Sequence, residues 1–178
     1  PEIVRGNVAY DRELAFGLTG TAELLVSRNI NDIVYQNLNY VPIGALPDGR
    51  LTYTKKDLNL NDVIVLANTS RGSSWTTTLK VERPFANGFF ASASYLYNRA
   101  KSVNDGTTSI ARSNWAFGSS VSYDVNNPPL ATSDYETGHR VTLAATIPIP
   151  ITSTVRSTAS FYYNGQNGQP YSIVFNGD

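Results

Sequence analysis

The stretch "GFFASASYLYNRAKS", Gly88 to Ser102, decides the fold. Phe89, Ala91, Ala93, Tyr95 and Tyr97 occupy alternate positions, with Ser92, Ser94 and Asn98 among the residues between them. Side chains alternate faces along a strand, so this run predicts a β-strand with one apolar, aromatic face and one face of small polar groups. Such an apolar face covers either a soluble core or lipid.

The same period recurs along the chain. In "SSWTTTLKVERPF", Trp75, Thr77, Leu79 and Val81 oppose Ser74, Thr76, Thr78, Lys80 and Glu82. In "HRVTLAATIPIP", Val141, Leu143, Ala145 and Ile147 oppose Arg140, Thr142, Ala144 and Thr146. "TVRSTASFYYN" sets Val155, Ala159, Phe161 and Tyr163 against Arg156, Thr158, Ser160 and Asn164. Upstream, "LAFGLTGTAELLVSR" predicts a strand face of Leu14, Phe16, Leu18, Ala22, Leu24 and Val26 against Thr19, Thr21, Glu23 and Ser27, with Leu25 out of phase.

Connections alternate in length. Short turns are expected at about 11–16, 82–88 and 147–154, the second marked by Pro84 and Asn87-Gly88. Long links, about 42–73 and 99–138, are rich in Asn, Asp and Gly, and loops beyond about 15 residues are uncommon in compact soluble domains. Trp75, Tyr95, Tyr97 and Tyr163 lie toward the long-link ends, and Phe16, Phe85 and Phe89 near the short turns. Long loops at one end, short turns at the other and aromatic girdles are traits of outer-membrane barrels. A soluble β-sandwich core also alternates and also takes aromatics, so periodicity leaves both open.

Composition excludes some functions. Fourteen basic and 14 acidic side chains leave no basic excess for nucleic acid. The absence of Cys removes disulfides, thiolate metal sites and a cysteine nucleophile. Eleven Tyr, with abundant Thr, Ser and Asn, favour strands and loops. No stretch approaches the roughly 20 apolar residues of a spanning helix, but a barrel strand needs only about 10 with one apolar face. The chain opens with "PEIVRGNVAYDREL" and shows no charged-then-apolar leader, as expected of a processed chain or a part of a longer one.

Catalytic chemistry is not expected. His139 is the sole histidine; "YETGHRV" sets it near Asp134, Glu136 and Arg140, without metal-ligand spacing. "VNDGTTS", Val103 to Ser109, lacks the repeated acids and the later Glu of a calcium loop. "NGQNGQPYS" has no basic residue to cradle phosphate. We expect no enzyme activity and no cofactor. If the apolar phase faces lipid, then Leu79, Val81, Ala91, Ala93, Leu143, Ala145 and Phe161 point outward, and Glu23, Lys80, Glu82, Arg140 and Arg156 point toward a lumen or plug. Tyr35, Asn37, Asn39, Tyr40 and Tyr53 are candidates for a ligand-contacting loop surface.

"GNVAYDRELAFGLTGTAELLVSRNINDIVYQNLNYVPIG" followed by "DGR", then "FFASASYLYNRAKSVNDGTTSIARSNW", "VNNPPLATSDYETGHRV" and "FYYNGQNGQPYS" resemble the later barrel strands of TonB-dependent outer-membrane receptors, in the Oar-like branch. The likeness spans nearly the whole chain, 1–178. It implies an all-β fold of antiparallel up-and-down strands, part of a large transmembrane β-barrel in the outer membrane of a Gram-negative bacterium. It also implies ligand capture and energy-coupled passage, with outer-membrane lipid, a plug domain, the remaining barrel strands and an inner-membrane TonB complex as partners. About six strands are present against about 22 in such barrels, and no plug, TonB box or closing strand with a terminal aromatic residue is visible, so a piece of a larger barrel is expected. The alternative is a soluble or surface-attached β-sandwich binding or adhesion module.

Overall fold

A computed structural model describes residues 1–118, 122–152 and 155–172, with Phe85 and Ala86 described by their backbone alone. The chain is all-β and antiparallel. Among the described residues there are ten strands, β1 (Glu2–Glu13), β2 (Thr19–Asn37), β3 (Tyr40–Ala45), β4 (Leu51–Lys55), β5 (Ile64–Thr69), β6 (Ser73–Ala86), β7 (Phe89–Ser102), β8 (Ala131–Thr132), β9 (Gly138–Pro150) and β10 (Arg156–Gln166), and one helix, α1 (Ala111–Gly118).

Six long strands form a meander in the order β1-β2-β6-β7-β9-β10, with β5 pairing the far half of β2 and β8 pairing the end of β7. A separate ribbon joins β3 to β4. The long strands run from 11 residues in β10 to 19 in β2, against a usual 5–6 in globular proteins.

Register aligns the alternations. Ala22 faces Leu79, which faces Tyr95, which faces Val141. One row on, Val81 opposes Ala93, Ala93 opposes Leu143, and Leu143 opposes Tyr163. Because the side-chain period is two, each pairing hands the apolar phase unchanged to the next strand. One continuous apolar face and one continuous polar face result.

Several boundaries differ from those expected. The first turn lies at 14–18 rather than 11–16, and Leu14, Phe16 and Leu18 belong to it instead of to a strand face. Phe16 and Gly17 adopt left-handed φ of 63° and 69°, which ends extended backbone, and the Leu14 amide donates to the Leu18 carbonyl at 2.8 Å. The residues before it form β1, a strand that the alternation did not mark. At the second turn β6 persists to Ala86, and only Asn87 and Gly88 turn, both with φ positive at 53° and 81°. In β9, Pro148 and Pro150 lie beyond the last pairing with β7, Phe90 to Thr146, so their missing N–H groups cost that ladder nothing. The third turn holds residues 153 and 154, outside the described residues, as does the side chain of Phe85.

The long links are not bare loops. Residues 38–72 carry β3, β4 and β5, and residues 103–137 carry α1 and β8. Both emerge from the same end of the meander. The buried apolar residues Val34, Val103 and Trp115 lie there, as do the buried polar residues Asn37, Asn39, Asn114, Ser122 and Ser133. Among the described residues the buried core therefore sits at this end, in the far half of β2 and the two connections, where backbone polar groups removed from water need partners.

Candidate functional site

The described residues present a cap made by the two connections, a polar face and an apolar face.

The cap is knit by Asn126. Its Oδ1 accepts the Asn37 amide at 2.8 Å and the Trp115 indole Nε1–H at 3.0 Å. Its Nδ2 donates to the carbonyls of Asn37 at 3.1 Å and Tyr40 at 3.3 Å, and its own carbonyl accepts Gln36 Nε2. The Tyr40 ring meets Trp115 edge-on at 5.2 Å and Tyr53 at 6.4 Å. Tyr53 Oη donates to Asp124 Oδ1 at 2.7 Å; burial, with the bond to that carboxylate, pushes the phenol up to about 12. Arg112 Nε donates to Asp62 Oδ2 at 2.6 Å, which holds the Asp62 carboxyl below the usual range.

This changes the role of the loop candidates. Asn37 is 0 % exposed: its Nδ2 donates to Asp62, and its Oδ1 accepts the amides of Asn39 and Val63. Asn39 is buried too, donating to the carbonyls of Asp57 and Leu60. Tyr35, Tyr40 and Tyr53 are half-buried. Asn37 and Asn39 cannot offer their side chains to an incoming ligand, and Tyr40 and Tyr53 brace the two connections. Exposed groups of the cap border a cavity of about 670 Å³ among Leu38, Lys56, Asp57, Leu58 and Leu60. Neither Asn126 nor Trp115 was singled out by pattern, because "VNNPP" and "SNWAF" look like ordinary loop sequence; a tryptophan inside a polar link was the only hint.

On the polar face lie Glu23, Lys80, Glu82, Arg140 and Arg156. Lys80 Nζ pairs with Glu82 Oε2, Asn7 Nδ2 donates to Glu23 at 3.4 Å, and Arg140 Nε donates to Asn164 Oδ1 at 2.7 Å. Arg156, near the short-turn end, is exposed.

Leu79, Val81, Ala91, Ala93, Leu143, Ala145 and Phe161 share the opposite face. Along β2 the apolar phase is the exposed one: Ala22, Leu24 and Val26 are exposed, while Thr21, Glu23, Leu25 and Ser27 are half-buried. That order is the reverse of a soluble sheet packed on its core. Leu79 is 52 % and Phe161 58 % exposed, so nothing in the described chain covers this face. At its cap end, Trp75 meets Tyr97 at 5.2 Å and Tyr97 meets His139 at 4.7 Å, while the Tyr95 hydroxyl sits 2.6 Å from His139 Nδ1. The histidine is thus held in an aromatic row.

Asp105 of "VNDGTTS" is occupied by its own chain, accepting Ser102 Oγ, Ser133 Oγ and the Asp134 amide. Among the described residues no group of His, Asp and Glu is arranged to hold a metal ion, and no helix is long and apolar enough to cross a membrane, which says nothing of strands. Compared with known proteins, the chain matches no family model, no curated protein and no solved structure.

Proposed function

We propose that this chain is part of the wall and outer loops of a large outer-membrane β-barrel transporter of the TonB-dependent kind. The observation that carries the proposal is the continuous apolar face of a six-strand meander, uncovered among the described residues, with the polar face the more shielded of the two in the inner strands β2, β6, β7 and β9. Lipid satisfies such a face at no further cost, and antiparallel strands of 11 or more residues, tilted, reach across a hydrocarbon core. Aromatic rings fit the same geometry. Tyr97 and Phe89 lie near opposite ends of β7, about 27 Å apart along the strand, a separation that supports rings near the two borders of a tilted wall.

In this reading Glu23, Lys80, Glu82, Arg140 and Arg156 line the inner side, toward a plug. The cap faces outward and holds the ligand route open as a preformed surface. Ligand passes through the lumen when the plug is remodelled by an energy-coupling inner-membrane complex, and no bond of the ligand is made or broken. The edges of β1 and β10, open among the described residues, take the neighbouring barrel strands.

Fractionation of cells producing the full-length parent chain tests this. Retention in the outer-membrane pellet through high-salt and alkaline washing is expected. Release into the soluble fraction would overturn the transporter and favour a β-sandwich adhesion module, in which a second sheet covers the apolar face.

A further inference from the structure

The apolar face is not uniform. Near the short-turn end it holds a groove of about 550 Å³, floored by the small residues Gly20, Ala22 and Ala93 and walled by Leu14, Leu79 and Leu143. Arg12 stands at its rim, one residue before β1 ends, on the apolar face because it pairs with Gly20. Its guanidinium has no hydrogen-bond or ion-pair partner among the described residues. Arg83, on the same face and at the same end, lies over the Phe89 ring at 5.6 Å. The nearby carboxylates all turn away: Asp11, Glu13, Glu23 and Glu82 are on the polar face by register, and the groove's lining includes no carboxylate.

An unpaired cation at the end of an apolar groove matches a phosphate joined to a hydrocarbon chain. Guanidinium binds phosphate oxygens in a bidentate fork, while its stem lies along apolar surface. We propose that this groove is a phospholipid site, with one acyl chain along Ala22, Leu79 and Ala93 and the headgroup phosphate on Arg12, assisted by Arg83. The proposal rests on the membrane reading above, and adds a lipid held at one place on the wall, in the leaflet nearest the short turns.

The test uses the full-length parent protein, extracted from membranes in mild detergent, with phosphatidylglycerol titrated in and bound lipid counted by native mass spectrometry. Arg12→Gln is expected to weaken the tightest phosphatidylglycerol site about tenfold. Ala22→Leu, which fills the groove while keeping the face apolar, should abolish that site. Arg5→Gln, on the opposite face, should leave it unchanged, and dioleoylglycerol, which lacks phosphate, should not distinguish Arg12→Gln from wild type. Equal phosphatidylglycerol affinity in wild type, Arg12→Gln and Ala22→Leu would overturn the site while membrane residence stands. A parent protein recovered outside the membrane fraction would overturn both readings together.

Discussion

At the scale of single residues, the cap depends on groups whose partners are distant in sequence. Asn126 meets Asn37 across 89 positions, satisfying an acceptor and a donor on one backbone unit as well as the Trp115 indole. Asn126→Ala leaves two N–H groups and two carbonyls without those bonds, and should lower cap stability by about 2–4 kcal/mol. Faster hydrogen exchange at the Asn37 amide, with the sheet amides unchanged, is the expected signature. Titration of the cap has two signs. The Asp62 carboxyl is depressed by Arg112, so that contribution is present above the unfolded carboxylate value near pH 4 and is lost as pH falls through the lower folded value. Tyr53 is raised, so its contribution is complete below about pH 10 and disappears as pH climbs through about 12. Limited proteolysis of residues 103–137 across pH should show a plateau between these limits, and Tyr53→Phe should remove the alkaline edge. Little of this was legible. Tyr40 and Tyr53 stood out as aromatic loop residues, but their inward orientation depends on Trp115 and Asp124, which belong to the other connection.

At the scale of elements, β7 separates two environments within adjacent residues. Ala93 lies between Val81 and Leu143 on the apolar face, whereas Ser92 lies between Glu82 and Ala144 on the polar one. If the apolar face meets lipid, as proposed, Ala93→Arg should cost about 2–4 kcal/mol of membrane assembly and Ser92→Arg far less. Heat-modifiable mobility of the parent protein on gels reads the difference, and equal effects would argue against the assigned phase. The β6–β7 hairpin was legible from Asn87-Gly88, since two successive positive φ angles need residues that tolerate left-handed backbone. Gly88→Val forces a β-branched residue to φ 81°, at a cost of about 1–2 kcal/mol, and should lower the yield of assembled protein. The first turn was misplaced by three residues at its start, because Leu14, Phe16 and Leu18 keep an alternating pattern through a bend that Phe16 and Gly17 make with left-handed backbone.

At the scale of the whole molecule, the described residues form a six-strand meander whose apolar face carries exposed side chains and whose edge strands are β1 and β10. Purified in water without detergent, residues 1–178 should sediment as aggregates through that face and the edges of β1 and β10. A monodisperse, folded species in plain buffer would instead favour a closed sandwich. What the sequence determined by itself was the strand period, the membership of the two faces in β6, β7, β9 and β10, and the end of the sheet from which the long connections leave. Those follow from local rules, since neighbouring side chains on an extended backbone must point opposite ways. Tertiary structure alone decided that β1 completes the meander and that one strand runs from Thr19 to Asn37. It also decided that the two connections lock into a cap around Asn126 and Trp115. These depend on pairings between segments tens of residues apart, where burial and hydrogen-bond satisfaction are set by whichever groups the fold brings together.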